Sequence, residues 1–390
     1  MSLKCRSDSC PVLIELPSTG EIMRIDSVSV SGLLGQSDAV KYQFNSDLNL
    51  LTGRNGSGKT TILKLIWLII SGNVLIALKE VPFRSCTIVT SEYSCTVIRT
   101  GRVNCKIEME IGGLTYSFED DSEELGEFGE AAEDKAASHL TVGSSLFFPT
   151  FRRIEGGFSM TPAQRNRSGN FFRTEADIDE PLAALSRKLT EKDHIFVSAI
   201  STQDIVSLLL KKYAIFSEEI NGFQGNVSRS VINKIRQYEN TQGGGQNADQ
   251  LLSETRAEIE KIEEFRSETM QPLDAIRSLV ERLFRHSGIS FGKRLSFGDA
   301  AEAVNSEALS AGEKQMLSFI CYNAFYKDAV VFIDEPELSL HVDWQRQLYS
   351  ILESQNSGNQ FIFATHSPFI YAKYPDKEVL VGSDRGDLHV

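Results

Sequence analysis

The run Gly53-Arg54-Asn55-Gly56-Ser57-Gly58-Lys59-Thr60-Thr61 fits the spacing G-x-x-x-x-G-K-[ST], whose chemistry is the grip of a polyphosphate. Glycines at those places let the backbone curl until successive N–H groups face phosphate oxygens. Lys59 is spaced to reach the β and γ phosphates, and the Thr60 hydroxyl to ligate Mg²⁺. A helix opening at Lys59 adds a favourable field for the anion. The expected ligands are therefore ATP and Mg²⁺, with Arg54, Asn55, Gly56, Ser57, Gly58, Lys59, Thr60 and Thr61 as the nucleotide-binding set.

Three further segments carry reactive groups. The apolar run Val330-Val331-Phe332-Ile333 ends in Asp334-Glu335-Pro336-Glu337. A buried strand would deliver both leading carboxylates at its C-terminal end, where α/β sheets bind ligands. Asp334 is suited to hold Mg²⁺, and Glu335 to orient and activate an attacking water. Leu309-Ser310-Ala311-Gly312-Glu313 opens a helix with Ser310 as N-cap and Glu313 three residues on, as in a capping box. The bland reading is a well-capped helix; the sharper one is a second helix N-terminus that grips a γ-phosphate from the opposite side. Thr365-His366-Ser367-Pro368 follows the apolar run Phe361–Ala364. A lone histidine is more often structural, but at a strand end His366 can contact both the γ-phosphate and the water.

These groups need elements to position them. Residues 22–52 read as short strands, 59–70 as a mostly buried helix, and 87–118 as containing a hairpin that turns at Gly112-Gly113. The stretch Glu119–Asp134 holds nine acidic residues and no basic one, and reads as a solvated loop or a docking segment. Residues 176–285 are helical in pattern, broken by a Gly-rich stretch at 241–247, and Pro272 marks a kink. Short apolar strands return at 329–333 and 361–364, with a helix between them. The fold class expected is α/β: a mixed β-sheet with flanking helices, interrupted by a helical, coiled-coil-like arm. The division is 1–175, 176–287 (the arm) and 288–390.

Composition limits the partners. The chain of 390 residues carries a net charge of −13, which argues against a protein wrapped throughout in nucleic acid. Arg152, Arg153, Arg165, Arg167 and Arg173 leave room for one local DNA-binding groove. The apolar run Ile62–Ile70 contains Lys64 and is too short for a bilayer. The polar N-terminus does not read as a signal peptide, and the six cysteines form no C-x-x-C pair. A cytoplasmic location follows as the default.

Taken in chain order, the four motifs resemble the ABC ATPase superfamily over about residues 20–150 and 288–380. The resemblance implies an ABC-type head in which Ser310, Gly312 and Glu313 of one subunit close in trans over ATP held by Lys59 of another. It therefore implies a head-to-head dimer, extendable to a larger ring. The LSAGE segment, Pro336-Glu337-Leu338-Ser339-Leu340-His341 and the long spacing between motifs depart from transporter subunits. They look like the chromosome-maintenance (SMC-like) and break-repair ATPases, and more closely like the overcoming-lysogenization-defect (OLD) ATPases. Phe147-Phe148-Pro149-Thr150-Phe151-Arg152-Arg153 resembles an element of the standalone ATPase subunits in PARIS-type anti-phage systems; Arg152 and Arg153 are candidates for nucleotide contact, and Gln164 is the weak candidate for a Gln-loop. OLD nucleases carry a TOPRIM nuclease after the histidine motif, for which this sequence leaves no room. The resemblance thus implies a separate effector of TOPRIM-like nuclease type and a phage-encoded trigger protein. The alternative is an SMC-like DNA-repair or chromosome-maintenance ATPase that binds DNA directly.

Overall fold

A computed structural model of the protein describes residues 22–36, 38–120, 130–150, 153–154, 184–200, 202–240, 246–283 and 310–382. The α/β class and the helical arm that the sequence suggests are both present, with the strands in two large sheets. The first is antiparallel and joins β1 (Ile25–Ser31), β2 (Val40–Gln43), β4 (Ser85–Thr90), β5 (Tyr93–Arg99), β6 (Cys105–Ile111) and β7 (Leu114–Glu119) in the order β2-β1-β4-β5-β6-β7. Its strands alternate, so Cys86, Ile88, Cys95, Val97, Ile107 and Met109 are buried while their neighbours are partly exposed. The β6–β7 turn is Gly112-Gly113, with φ of 56° and 80°, a pair of left-handed residues that matches the twist of a tight hairpin.

The second sheet is parallel throughout. It contains β3 (Leu48–Thr52), β8 (Ser145–Phe148), β10 (His194–Phe196), β12 (Val330–Asp334), β13 (Gln360–Ala364) and β14 (Glu378–Leu380), in the order β10-β8-β12-β13-β3-β14. Every residue of β3, β8, β12 and β13 is buried, as strands covered on both faces must be. On one face, Leu51, Phe147, Val330, Phe332 and Ile362 pack with α1 (Lys59–Ile70) and the antiparallel sheet, together with α2 (Val74–Glu80) and α3 (Ala132–Leu140). On the other, Leu50, Phe148, Val331, Ile333 and Phe363 pack against the helices of the C-terminal half. Helix α1 is wedged between two sheets, which is why it is apolar nearly all round.

Two long helices leave this core: α4 (Thr202–Asn240) and α5 (Gln246–Leu283). They pair as an antiparallel hairpin, with Phe223 stacked on Phe265 at 4.3 Å and Lys234 bonded to Glu258. Its root is anchored: Ile205, Leu209, Leu273, Ile276, Leu279 and Val280 are buried in the second core cluster with α6 (Ala311–Phe325) and α7 (Val342–Glu353). Helix α5 runs on through Pro272, the position at which the sequence places a kink. Strand β10 falls inside the stretch that reads as helical, yet pairs parallel with β8. Three residues are too few to show a period of two. No helix among the described residues is long and apolar enough to cross a membrane.

A polar thread crosses the core beneath α1. Trp67 Nε1 donates to Ser145 Oγ at 3.0 Å, and Ser145 Oγ lies 2.8 Å from His194 Nδ1. His194 is fully buried, and burial lowers its pKa from 6.5 to about 4. Above pH 6.5 the ring is neutral in the folded and unfolded chain alike. Between pH 6.5 and 4 the unfolded chain takes up a proton that the folded one refuses, so stability falls as the pH drops. The full loss is about 3 kcal/mol. Denaturant unfolding at pH 7, 6, 5 and 4 should show this slope, and His194→Asn should flatten it.

Candidate active site

The phosphate loop leaves the end of β3 and turns into α1. Gly53, Gly56 and Gly58 have φ of 146°, 79° and 97°, conformations that favour glycine. Gly53 is also confined by space: a Cβ there would lie 2.2 Å from the Val381 carbonyl oxygen and 2.9 Å from Ser57 Oγ. The Val381 N–H donates to the Thr52 carbonyl at 2.7 Å, so the chain beyond β14 forms one wall of the loop. Lys59 opens α1 and is buried, with Nζ donating to the Gly53 and Arg54 carbonyls at 2.9 and 3.0 Å. Burial lowers its pKa, opposed by the charges of Glu335, Asp334 and Glu337. Arg54, Asn55, Gly56 and Thr60 are exposed, Ser57, Gly58 and Thr61 are half-buried, and Ser57 Oγ has no hydrogen-bond partner among the described residues. A loop of glycines and unspent donors at a helix N-terminus fits a polyphosphate.

Strand β12 carries Asp334 to the foot of that loop. Asp334 is 1% exposed; Thr60 Oγ1 donates to its Oδ1 at 2.9 Å, and Thr150 Oγ1 donates to its Oδ2. Thr150 arrives because β8 and β12 are paired, with Phe148 opposite Ile333. Two hydroxyls and a carboxylate are hard oxygen donors, a set that suits Mg²⁺. The chain then turns sharply. Glu335 has φ of 49°, and its N–H donates to the Ala364 carbonyl at 2.8 Å. A left-handed non-glycine residue is strained backbone of the kind that collects at functional sites.

Glu337 links this turn to the end of β13. It accepts from Thr365 Oγ1 at 2.8 Å and from the His366 N–H at 2.6 Å. His366 is exposed. Its pKa is lowered, first by desolvation and next by the positive charge of Lys59. The ring is therefore mainly neutral at pH 7, able to accept a hydrogen bond beside a cationic loop rather than repel it. Ser367 caps the short helix α8 (Pro368–Tyr371) and donates through Oγ to Gln345 Oε1 at 2.6 Å.

The segment at Ser310 forms the capping box its sequence suggests. The Glu313 N–H donates to Ser310 Oγ at 3.3 Å, and the Ser310 N–H donates to Glu313 Oε2 at 2.7 Å. Ser310 is exposed at the tip of α6, while Gly312 is buried: a Cβ on it would lie 2.3 Å from the Ser339 carbonyl oxygen of the same chain. Gln315 Nε2 donates to the Pro336 carbonyl at 2.9 Å.

The structure thus gathers Lys59, Thr60, Asp334, Glu335 and His366 around one loop, and holds the Ser310–Glu313 cap to the far side of the turn after Asp334. Sequence reasoning missed Thr150, Glu337 and Gln315. The first two stand inside motifs that drew attention for neighbouring residues, and only their through-space partners reveal them. Leu309, Arg152, Gln164, Arg165, Arg167 and Arg173 lie outside the described residues; Arg153 starts β9 (Arg153–Ile154), which pairs with β11 (Ala199–Ile200).

A family model described as "AAA domain, putative AbiEii toxin, Type IV TA system" matches residues 183–372, a span that includes the Ser310, Asp334 and His366 motifs. A "Retron Vc95 probable ATPase" of Vibrio cholerae serotype O1 biovar El Tor is 23% identical over 87% of this chain and 70% of its own length. Among solved structures, the Smc head domain of Pyrococcus furiosus with an extended coiled coil, bound to the C-terminal domain of ScpA, is 15% identical, with 90% of this chain and 91% of that chain covered and a TM-score of 0.37. The Smc head domain of Pyrococcus yayanosii with a coiled coil and joint is 12% identical, with 93% and 96% covered and a TM-score of 0.39. The AAA-domain match and the kinship to a probable ATPase support ATP hydrolysis by this chain.

Proposed function

We propose that the chain is the ATP-driven sensor and scaffold subunit of a bacterial anti-phage defence system, acting in the cytoplasm. Two copies sandwich ATP head to head, each nucleotide cradled by Lys59 of one copy and capped by Ser310 of the other. The observation that carries the reading is the bond from Thr60 to Asp334, which joins the phosphate loop to the strand-end carboxylate across 274 residues of sequence. Thr60 and Asp334 would hold Mg²⁺, which supplies charge neutralisation for the phosphate oxygens. Lys59 exchanges the Gly53 and Arg54 carbonyls for phosphate. Glu335 orients the attacking water and accepts its proton, while neutral His366 contacts the γ-phosphate and Glu337 steadies the backbone beneath it.

The kinship to a retron ATPase supports the defence setting. In it the assembled heads hold a separate effector, of TOPRIM-like nuclease type, and release or activate it when a phage protein is sensed; the likeness to standalone ATPases of PARIS-type systems belongs to this reading. The rival, a DNA-repair clamp, requires salt-sensitive binding of DNA by the chain alone.

Light scattering tests the sandwich. A non-hydrolysable ATP analogue with Mg²⁺ should double the mass of the wild-type chain. Ser310→Arg, on an exposed tip, should keep its fold and its nucleotide and abolish the doubling. Equal mass with and without nucleotide in the wild type counts against the sandwich, and nucleotide-driven retention of duplex DNA favours the clamp.

A further inference from the structure

We propose that Gln315 is a positioning residue that carries contact made at the tip of α6 to Glu335 of the same chain, so that capping one nucleotide sets the base that serves the other. The inference rests on the sandwich reading and adds to it a physical link between the two sites.

The link is short and stiff. Ser310, exposed at the tip, is fixed to the first turn of α6 by its capping box. Gly312 in that turn touches the Ser339 carbonyl so closely that no side chain could intervene. One turn further on, Gln315 is 0% exposed and donates to the Pro336 carbonyl at 2.9 Å. Helix α6 therefore holds the turn from Glu335 to Ser339 at two points, and its first turn cannot shift without moving that backbone. Both ends of the held segment are left-handed non-glycine residues: Glu335 has φ of 49° and Ser339 of 63°. A segment strained at both ends is suited to two discrete arrangements. Glu337, between them, holds Thr365 and His366, so the same displacement reaches the histidine.

The polarity of Gln315 is not explained by packing. Its Oε1 is buried without a hydrogen-bond partner among the described residues, and an orphaned carbonyl costs stability that leucine, of similar volume, would not incur. The amide is spent on the one bond to Pro336, and that bond serves the turn rather than the helix.

The test uses the full chain carrying Gln315→Leu and, separately, Gln315→Met. ATP affinity should stay at its wild-type value and the melting temperature should not fall. Turnover should fall roughly ten- to a hundredfold, the effect of a misplaced catalytic group. The Hill coefficient for ATP should fall from about two in the wild type to about one. Variants that keep wild-type turnover and cooperativity overturn the proposal. So do variants that lose affinity and turnover in proportion, or that both fail to fold, since these assign Gln315 to the core alone. A wild-type Hill coefficient of about one, with turnover that still depends on Lys59, overturns the link and leaves the ATPase reading standing. Absence of Lys59-dependent turnover sinks that reading itself.

Discussion

Glu335→Gln is expected to slow ATP turnover by roughly a hundredfold or more, the contribution of a positioned general base, while ATP stays bound and the paired state persists. The amide keeps the size of the carboxylate and can still touch a water, but it cannot take the proton. The backbone argues for the same residue: the strained turn and the N–H bond to the Ala364 carbonyl fix the direction in which this side chain leaves β12, and Gln preserves both. Asp334, one residue earlier, is tied up by two threonine hydroxyls and cannot substitute. Single-turnover phosphate release, with light scattering on the same sample, separates the outcomes. Slow release with a doubled mass supports the assignment; release at the wild-type rate removes Glu335 from the chemistry.

Lys59→Ala is expected to weaken ATP binding by roughly ten- to a hundredfold, the worth of one or two charge-assisted hydrogen bonds to phosphate. In the structure the ammonium satisfies the Gly53 and Arg54 carbonyls. Its removal leaves two loop carbonyls without that donor and takes its positive charge away from three carboxylates. The variant therefore loses a phosphate ligand and loosens the loop. Titration with a fluorescent ATP analogue measures the first effect, and a melt without nucleotide the second. Affinity within twofold of wild type would mean that phosphate is held elsewhere.

Both variants fall at residues that the sequence reveals. Lys59, Asp334 and Glu335 are legible because each follows an apolar run at a spacing that few other chemistries need, and the structure places them together. The runs that become β12, β13 and α1 are legible for the same reason: strands and helices buried on all sides read as unbroken apolar segments. Thr150 was out of reach, because its meaning depends on β8 lying beside β12, a pairing between segments some 180 residues apart. Gly312 reads equally well as a group facing phosphate or as one that clears space, and only the position of the Ser339 carbonyl exposes the second role. The α/β class and the arm were legible, but the division of the strands between two sheets rests on parallel and antiparallel pairings that hydrophobic patterns do not specify, and β10 is too short to register a period.

One arrangement bears on how the protein is made. Strand β3, which launches the phosphate loop, has β13 on one side and β14 on the other, and Val381 closes the wall at Gly53. A growing chain exposes its Gly-Lys-Thr run some three hundred residues before both neighbours of the supporting strand are synthesised. Incomplete chains on the ribosome thus possess the residues that grip phosphate without the framework that aims them. Firm nucleotide capture is therefore expected only once β13 and β14 have been synthesised.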